Sequence, residues 1–432
     1  MENTAEAITG ERRTSEHLDT DEQRAFRLRA REYMAANLPP RIPGQPANSF
    51  EDLELVALDR EIQRKLYDGG LGGYAGITVP EEYGGLGLDR RFEDIFFEEA
   101  EPYRLPWHYG NAVVIVLPCL LAHGTEEQKK KYIPKILSGE HLWAQLLSEP
   151  SGGSDLAGVL TRAEKRGDEW VLNGSKVWTS GGHVSDMGLC LARTDPTVRK
   201  HAGLTMFLVD MHQPGMSVHP IRLVRGGSDF CQEFLDDVIV PDGDVLGEVN
   251  DGWTVARTQL NSERAGMARG WHYGLRRAEA SEHIVISSRY KRLAEELGVV
   301  DDVDARQLIG EAIVLDAVYD LTSKRAAAGM RSGALPATIG MVTSLLSART
   351  SIDRTALMSA LAGPAGVVAA PGSDGPDIGL DRVVTHRIGG GTLEMQLNLV
   401  SERHLGLPRE PSFDRDVPFN QIKHNATPKL AG

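Results

Sequence analysis

The pattern of apolar and polar positions changes twice along the chain and divides it into three blocks. Residues 20–140 carry apolar side chains at helical spacing, and capping-box sequences begin helices at Thr20 and Thr125. Residues 143–249 hold short runs of β-branched and apolar residues separated by Gly, Pro and Asp, a pattern typical of strands. From Gly252 the helical period returns in four segments. The pattern therefore predicts a helical, then a β, then a helical region.

These blocks predict a multidomain fold with α and β regions. We expect an N-terminal α-helical domain over 1–142, a middle β-barrel or β-sandwich domain over 143–249 and a C-terminal four-helix bundle over 250–408. Residues 1–18 are predicted to form a loose polar tail, and 409–432 an extended tail. A β domain between two helical domains creates clefts where the domains meet, and such clefts favour ligand binding.

Two local features refine the predicted elements. The Asn173-Gly174 pair stands between alternating apolar residues, which is the strongest short-range signal of a hairpin, so a tight turn is predicted there. The first segment of the bundle keeps its helical period from Trp253 to Leu293, which predicts one long helix.

Composition and charge argue against several classes of protein. The chain has 432 residues, of which 41% are hydrophobic and 25% are charged, as in an ordinary globular protein. Its formal net charge of −14 argues against broad nucleic-acid binding, which needs a basic face. The first residues lack the apolar stretch of a signal peptide, and the longest apolar run, 112–122, is too short to span a bilayer. We therefore expect a cytoplasmic protein without stable membrane insertion.

The three cysteines, Cys119, Cys190 and Cys231, are far apart and form no CxxC pair. This spacing suits a reducing compartment and offers neither a disulfide framework nor a zinc site, so no metal site is predicted. We expect these residues to be buried apolar thiols.

The segment 143–182, WAQLLSEPSGGSDLAGVLTRAEKRGDEWVLNGSKVWTSGG, closely resembles the signature of the acyl-CoA dehydrogenase family. The resemblance continues in VPEEYGGLGL at 79–88, HGTEEQKKKYIPKILSGE at 123–140 and VPDGDVLGEVNDGW at 240–253. It covers nearly the whole chain, and the helical, β, helical order fits the fold of that family. The resemblance implies an FAD-dependent enzyme that oxidises an acyl-CoA thioester to the trans-2-enoyl-CoA.

The resemblance also implies which residues of the signature contact the flavin ring. They are Gln145, Leu147, Ser148, Trp178, Thr179 and Ser180. Ser154 would approach the pantetheine or phosphate part of the thioester and the cofactor. A flat ring with a polar rim needs backbone donors and acceptors at the rim and an apolar or aromatic wall, which these residue types supply. Taken alone, Trp178 is better interpreted as an ordinary core residue of a strand, but its place in this motif favours the flavin contact.

The implied reaction needs a carboxylate base that removes the α-proton of the thioester while a hydride leaves the β-carbon. Many family members carry this base as a glutamate just before a Gly-Thr pair near the C-terminus. Here the pair is Gly391-Thr392, and Gly390 stands at the position of that glutamate. The resemblance implies that the backbone N–H of Gly390 donates to the thioester oxygen, that Gly391 contacts the substrate, and that Thr392 and Glu394 contact FAD.

A minority of the family, including the isovaleryl- and long-chain-acyl-CoA dehydrogenases, carry the base on the first helix of the bundle, directly before an arginine. Glu263 directly precedes Arg264, which matches that placement. A stripe of small residues recurs every four positions beside it: Ser262, Gly266, Gly270 and Gly274. The resemblance makes Glu263 the predicted base, and Asn261 and Arg264 candidate substrate contacts. Without the resemblance, a surface ion pair of Glu263 is at least as good an interpretation.

Two segments depart from the family pattern. The Arg-x-x-Phe-Gly turn expected after the first bundle helix is missing, and Arg306-Gln307 replaces a His-Gln pair that contacts FAD. ALAGPAGVVAAPGSDG at 360–375 replaces the Gln-x-x-Gly-Gly-x-Gly segment with which a neighbouring subunit holds the FAD pyrophosphate. Both a homo-oligomer (dimer or tetramer) and a heterotetramer with a paralogous chain fit these departures.

Three functions therefore stay open at the level of the sequence. The first is FAD-dependent acyl-CoA dehydrogenation, with an electron-transfer flavoprotein as the electron acceptor. The second is an oxidase or monooxygenase that uses O2 on the same fold. The third is a non-catalytic subunit that completes the FAD site of a partner chain.

Overall fold

A computed structural model describes most of the chain and has the helical, sheet, helical order that the sequence predicts. The predicted fold class is confirmed. The described residues are 15–41, 49–68, 73–223, 227–268, 290–336, 339–368, 388–389, 391–409, 411–412, 414 and 416–422.

The N-terminal region is helical. Its α-helices are α1 (Asp21–Asn37), α2 (Leu53–Asp68), α3 (Arg90–Ala100), α4 (Leu117–His123) and α5 (Glu126–Leu137). Both predicted capping boxes are present: the Thr20 hydroxyl accepts from the backbone N–H of Gln23, and the Thr125 hydroxyl accepts from that of Gln128. These caps satisfy backbone donors that the first turn of a helix leaves without partners.

The middle region is an eight-stranded sheet. Its strands are β1 (Trp143–Leu146), β2 (Arg162–Arg166), β3 (Glu169–Ser180), β4 (Met187–Arg193), β5 (Leu204–Asp210), β6 (Met216–Ile221), β7 (Phe230–Pro241) and β8 (Val245–Leu246). The strand order is β6-β7-β3-β2-β4-β5-β8, and β1 runs parallel to β4. Strands β4 and β5 are buried along almost their whole length, so both faces of the sheet are covered there.

The predicted hairpin turn at Asn173-Gly174 is wrong. These residues lie inside β3, which runs on to Ser180 beside β7, and the turn that joins β2 to β3 is at residues 167–168. Gly174 instead follows a register shift, and a Cβ there would lie 2.4 Å from the Thr161 hydroxyl oxygen. The glycine therefore allows Thr161 to approach β3 closely. Such a close approach is a known reason for a glycine inside a strand.

The C-terminal region is again helical, and its described helices are α6 (Gly252–Ala268), α7 (Val303–Arg331), α8 (Gly340–Ala362) and α9 (Leu393–Arg403). Helix α8 packs against α6, α7 and α9. Residues 290–296 are also helical. The middle of the long helix predicted from Trp253 to Leu293 lies outside the described residues.

Part of the predicted extended tail is folded against the sheet. Residues Phe419–Gln421 form a 3-10 turn, and the Phe419 ring lies 3.6 Å from the Arg193 guanidinium. Asp414 accepts from Lys200 Nζ at 2.5 Å. No periodic pattern in the sequence marks this docking, because a single aromatic residue and a single acid make the contacts.

All three cysteines are buried and free, as predicted. Within the described part of the chain, no helix is both long and apolar enough to cross a membrane.

Candidate functional site

Three elements meet at one end of the sheet. The backbone N–H of Val177 on β3 donates to the carbonyl of Ser148 at 2.9 Å, which places the residues after β1 beside the end of β3. From the helical side, Gln259 Nε2 on α6 donates to Gln145 Oε1 on β1 at 2.8 Å. The structure thus brings Gln145, Ser148 and the end of β3 together with α6, although Gln259 on α6 stands 114 residues after Gln145 in the sequence.

Gln259 is fully buried, and its Oε1 has no hydrogen-bond partner in the described structure. It lies four residues before Glu263 on α6, so the two side chains share one face of the helix. Sequence analysis did not single out Gln259, although its spacing from Glu263 would have been a sufficient signal. The helix therefore presents Glu263 on the face that contacts β1.

Glu263 is half-buried on this face. Burial raises the pKa of its carboxyl, and the positive charge of Arg264 opposes that rise. Arg264 is oriented by its own helix, because its Nε donates to the Leu260 carbonyl at 2.9 Å. The result is a carboxyl that is harder to ionise than an ordinary glutamate, beside a guanidinium that stays charged at physiological pH.

A buried ion pair holds the segment that follows β1. Lys176 Nζ on β3 donates to Glu149 Oε1 at 2.8 Å, to the Leu191 carbonyl at 2.7 Å and to the Leu147 carbonyl at 3.2 Å. The other Glu149 oxygen accepts from the backbone N–H of Leu160. Burial by itself raises the pKa of Glu149, but Lys176 and the hydrogen bonds outweigh it, so the pKa is lowered. The predicted flavin contact Leu147 is thereby tied to the sheet through its carbonyl.

Trp178 has an unusual backbone and an unusual exposure for a strand residue. Its φ is 65°, it stands at a register shift between β3 and β7, and 57% of its surface is exposed. A bulky residue at positive φ is a genuine outlier, and such strain clusters at functional sites. The interpretation of Trp178 as a plain core residue is therefore wrong, because the bulge turns the indole outward.

The residues after Trp178 are anchored inward. Thr179 is buried, and its hydroxyl donates to Glu233 Oε2 on β7 at 2.7 Å. Ser180 is half-buried and pairs with Phe230 at the end of the strand. The indole of Trp178 is thus held outside while its neighbour on the chain is fixed in the core.

Residues 49–50 of the N-terminal region bind to this end of the sheet through hydrogen bonds and packing. The Asp229 carboxylate accepts from the Ser49 hydroxyl at 2.6 Å and from the Phe50 N–H at 2.7 Å. The Phe50 ring lies so close to Gly181 that a Cβ there would be 2.2 Å from it, and Gly181 has a φ of 64°. A glycine is required at 181 for both reasons.

Sequence comparison identifies the family of this protein. Three family models match in order: acyl-CoA dehydrogenase, N-terminal domain, at residues 20–140, middle domain at 144–238, and C-terminal domain at 250–405. The acyl-CoA dehydrogenase IpdE1 of Mycobacterium tuberculosis is 33% identical over 418 residues, which cover 89% of this chain and 98% of that protein. This chain belongs to the acyl-CoA dehydrogenase family. Members of the family are oxidoreductases.

Two further members of the family show how the similarity is distributed. The acyl-CoA dehydrogenase FadE34 of Mycobacterium tuberculosis is 39% identical over 300 residues, which cover 68% of this chain but only 39% of FadE34. Among solved structures, the Tcur3481-Tcur3483 steroid ACAD is 28% identical, with a TM-score of 0.67 over 91% of this chain and 99% of that one. The fold is therefore shared along nearly the whole chain.

Acyl-CoA dehydrogenases depend on FAD. The residues at this end of the sheet, where β1 and β3 end, fit such a cofactor. Trp178 offers an exposed aromatic wall, and Gln145, Ser148 and Ser180 offer half-buried polar groups near it. Gln259 Oε1 is a buried acceptor without a partner. A flat ring with polar edges needs this combination.

Other residues that were predicted to contact cofactor or substrate make no described contact with Gln145, Ser148 or the end of β3. Arg306 bonds within its own segment, to Asp301 Oδ1 at 2.7 Å, and Gln307 donates to Glu311 Oε1 at 3.0 Å. Asn261 and Ser154 are exposed, and Ser154 follows the glycine pair after Ser151. Their contacts with cofactor or substrate stay predictions.

The Gly-Thr pair near the C-terminus is partly described. Thr392 is the N-cap of α9 and accepts from the Met395 N–H at 3.2 Å, while Glu394 is exposed. The carbonyl of Gly391, at a φ of 105°, accepts from Gln396 Nε2. Gly390 lies outside the described residues, as do Gly270 and Gly274 of the small-residue stripe. The end of α9 nevertheless lies near the predicted base, since the charge of Arg403 acts on Arg264.

Proposed function

We propose that this chain is an FAD-dependent acyl-CoA dehydrogenase that converts an acyl-CoA thioester to the trans-2-enoyl-CoA, with Glu263 as the base. The observation that carries the proposal is the hydrogen bond between Gln259 and Gln145, which joins the face of α6 that bears Glu263 to the edge where the flavin contacts are predicted. When bound, FAD supplies the acceptor for the hydride that leaves the β-carbon.

In this proposal Glu263 removes the α-proton, and the electron pair of that C–H bond forms the new double bond as the β-hydride leaves. A general base works best when its pKa lies near the working pH, and burial moves the pKa of Glu263 in that direction. The charge of Arg264 opposes this rise in pKa and so favours the ionised form, which can accept a proton. The position next to Arg264 is also where the isovaleryl-type branch carries its base.

The thioester must be held and polarised for its α-proton to be removed. We assign this role to the backbone N–H of Gly390, with Gly391, Asn261, Arg264 and Ser154 contacting the CoA-bearing substrate. Hydrogen bonds that strengthen as charge develops on the thioester oxygen lower the barrier to proton removal.

The cofactor is held in this proposal by the ends of β1 and β3. Its contacts there are Gln145, Leu147, Ser148, Ser154, Trp178, Thr179 and Ser180. The buried pair of Lys176 and Glu149 fixes the backbone of this edge, and a rigid edge preserves the geometry that hydride transfer needs. Arg306, Gln307, Thr392 and Glu394 are assigned to parts of FAD beyond this edge.

We further propose an electron-transfer flavoprotein as the acceptor and an oligomeric enzyme in the cytoplasm. The solved relative is named as a pair, Tcur3481-Tcur3483, which supports a heteromer beside the homo-oligomer that also fits the sequence. Its description as a steroid ACAD makes polycyclic acyl-CoA thioesters one substrate class to test, beside straight and branched chains.

The proposal is tested by purifying the chain alone and mixing it anaerobically with a panel of acyl-CoAs of graded length, branching and ring content. A yellow protein whose flavin absorbance bleaches with one class is expected. A colourless protein that gains FAD only with a paralogous chain would establish the partner-subunit alternative. Rapid turnover with O2 as the sole acceptor would instead establish an oxidase.

A further inference from the structure

Glu233 is a buried carboxyl that the proposed chemistry does not use. It lies on β7, its side chain is fully buried, and Thr179 donates to its Oε2 at 2.7 Å. Its Oε1 is buried without any hydrogen-bond partner in the described structure. An unmatched oxygen on a buried acid calls for an explanation, because such a group costs free energy.

Among the described residues Glu233 has no counter-ion, although a lysine stands directly opposite. Lys176 on β3 is its cross-strand partner in the register of β3 and β7. An ammonium group has three donors, and those of Lys176 are directed to Glu149, Leu147 and Leu191. A buried carboxylate without a cation or further donors is strongly disfavoured, so Glu233 is stable here as the neutral acid.

The other groups around Glu233 do not replace the missing cation. His183 directs Nδ1 to the sulfur of Cys231 at 3.1 Å and Nε2 to the Phe50 carbonyl at 3.0 Å, so neither ring nitrogen serves Glu233. Burial raises the pKa of Glu233 to about 7, against the smaller opposite effects of Thr179, its own backbone N–H and Lys176. Electrostatic interactions link Glu233 to Lys176 on β3, to Cys190 on β4 and to Cys231 on its own strand, and His183 bonds to Cys231.

A thin wall separates Glu233 from a surface cavity. The cavity has a volume of about 320 Å³ and is lined by Gly182, His183 and Val218 among others. A Cβ at Gly182 would lie 2.4 Å from Glu233 Oε1, so the unmatched oxygen points at this wall. Val218 is the β6 residue opposite Glu233. A proton therefore has a short path between Glu233 and solvent.

We propose that Glu233 is a positioning residue for Trp178–Ser180 that acts as the neutral acid, and that loss of its proton weakens FAD binding at this segment. The proposal rests on the proposed function, which places the cofactor against these residues. The mechanical link is Thr179, which lies between the outward-turned Trp178 and the predicted flavin contact Ser180 and bonds directly to Glu233. An ionised Glu233 would need water or a new donor at Oε1, so the chain at Gly182, two residues after Ser180, would have to move away from this oxygen.

The test is FAD binding to the apoprotein, followed by flavin fluorescence between pH 5.5 and 8.5 in the wild type and in Glu233→Gln. The wild type is expected to lose affinity as pH rises above about 7, approaching tenfold per pH unit. Glu233→Gln, which cannot ionise, should bind FAD with an affinity that does not change over this range. The exposed residue Glu169 on the same sheet provides the matched control, and Glu169→Gln should keep the wild-type pH dependence.

A second variant probes the same link from the other side. The Thr179 hydroxyl lowers the pKa of Glu233, so Thr179→Val should move the midpoint of the pH dependence upward. If Glu233→Gln retains the wild-type loss of affinity, the inference about Glu233 is overturned while the proposed function stands. If no variant and no wild-type protein binds FAD at any pH, the proposed function itself fails. Binding by Glu233→Gln that is weak at every pH would also overturn the inference, since the neutral side chain would then not suffice.

Discussion

At the candidate site, the end of the sheet and helix α6 each carry a glutamate. The electrostatic surroundings of these two glutamates are opposite. At the sheet edge, Glu149 is fully engaged by Lys176 and by backbone N–H groups, and its pKa is lowered. On α6, burial dominates the environment of Glu263, and its pKa is raised despite Arg264. Two glutamates whose pKa values are driven apart by their surroundings are suited to two different roles. The first holds structure, and the second can exchange a proton.

The two regions are also held in place by different kinds of contact. Lys176 on β3 donates hydrogen bonds to Leu147 and Glu149, which follow β1, and to Leu191 on β4, so this end of the sheet is held by a polar network. Helix α6 reaches this edge through the amide of Gln259, a neutral contact. This contact brings no charge to the face of α6 that bears Glu263. The following predictions break one side of this comparison at a time.

The largest effect is expected on the helical side. Glu263→Gln should retain FAD but lose substrate-induced bleaching of the flavin by at least about a hundredfold, as expected for loss of a general base. In the wild type, the bleaching rate should rise with pH through a midpoint above the ordinary range of glutamate, because the ionised form is the base. Stopped-flow absorbance measures both. The exposed Glu248, just before α6, supplies the control substitution Glu248→Gln, which should bleach at the wild-type rate.

Breaking the sheet edge should cost stability more than chemistry. Lys176→Met leaves Glu149 buried without its cation, and we expect a loss of about 3–5 kcal/mol in the free energy of unfolding. Urea unfolding measures the loss, and the exposed Lys130→Met is the control. Replacing both members of the pair, in Lys176→Met with Glu149→Leu, should recover part of the loss. A Lys176→Met protein as stable as the wild type would show that the pair is not a structural anchor.

A third glutamate sharpens the comparison through pH. Glu233 has an ordinary pKa of 4.5 and a folded-state pKa of about 7. The folded protein therefore binds an extra proton between these values, and the wild type loses that stability as pH rises through this window. Glu233→Gln avoids the loss and should be more stable than the wild type above pH 7, by at most about 3 kcal/mol. Thermal unfolding of the two apoproteins at pH 5 and pH 8 tests this prediction. The same difference in stability between Glu233→Gln and the wild type at both pH values would rule it out.

The smallest effect is expected where the two regions touch. Gln259→Leu removes one neutral hydrogen bond to Gln145, which is worth about 1 kcal/mol. A double-mutant cycle with Gln145→Leu should give a coupling free energy of that size, because removing both amides leaves no partner unmatched. A coupling near zero would mean that α6 and β1 are held together by other contacts.

Much of the fold followed from patterns that act locally. The capping boxes at Thr20 and Thr125 and the change of period near residue 143 depend on neighbours in sequence, and the structure contains both helix starts and the sheet. The hairpin predicted at Asn173-Gly174 failed for the opposite reason. Pairing of β3 with β7 along its length outweighs a local turn preference, and the glycine serves a contact with Thr161 that no local pattern shows.

The residues of the candidate site divide in the same way, into those that a local motif marks and those whose contacts depend on the fold. Glu263 and the predicted flavin contacts could be singled out because a family motif marks them, whereas Glu149, Lys176 and Glu233 were missed. Their roles depend on strand register, which places Lys176 opposite Glu233 but bonds it to Glu149. Trp178 was predicted to contact the flavin, and the structure adds the reason that its side chain faces outward, a bulge with positive φ.

The measurement that tests the central claim most directly is exchange of the α-protons of a bound acyl-CoA with solvent deuterium. It follows the step assigned to Glu263 without requiring an electron acceptor, and it is carried out anaerobically with the FAD-loaded protein and read by NMR. The account predicts that the wild type catalyses the exchange and that Glu263→Gln, with FAD still bound, does not. Exchange at the wild-type rate in Glu263→Gln would contradict the account, because another group would then be the base.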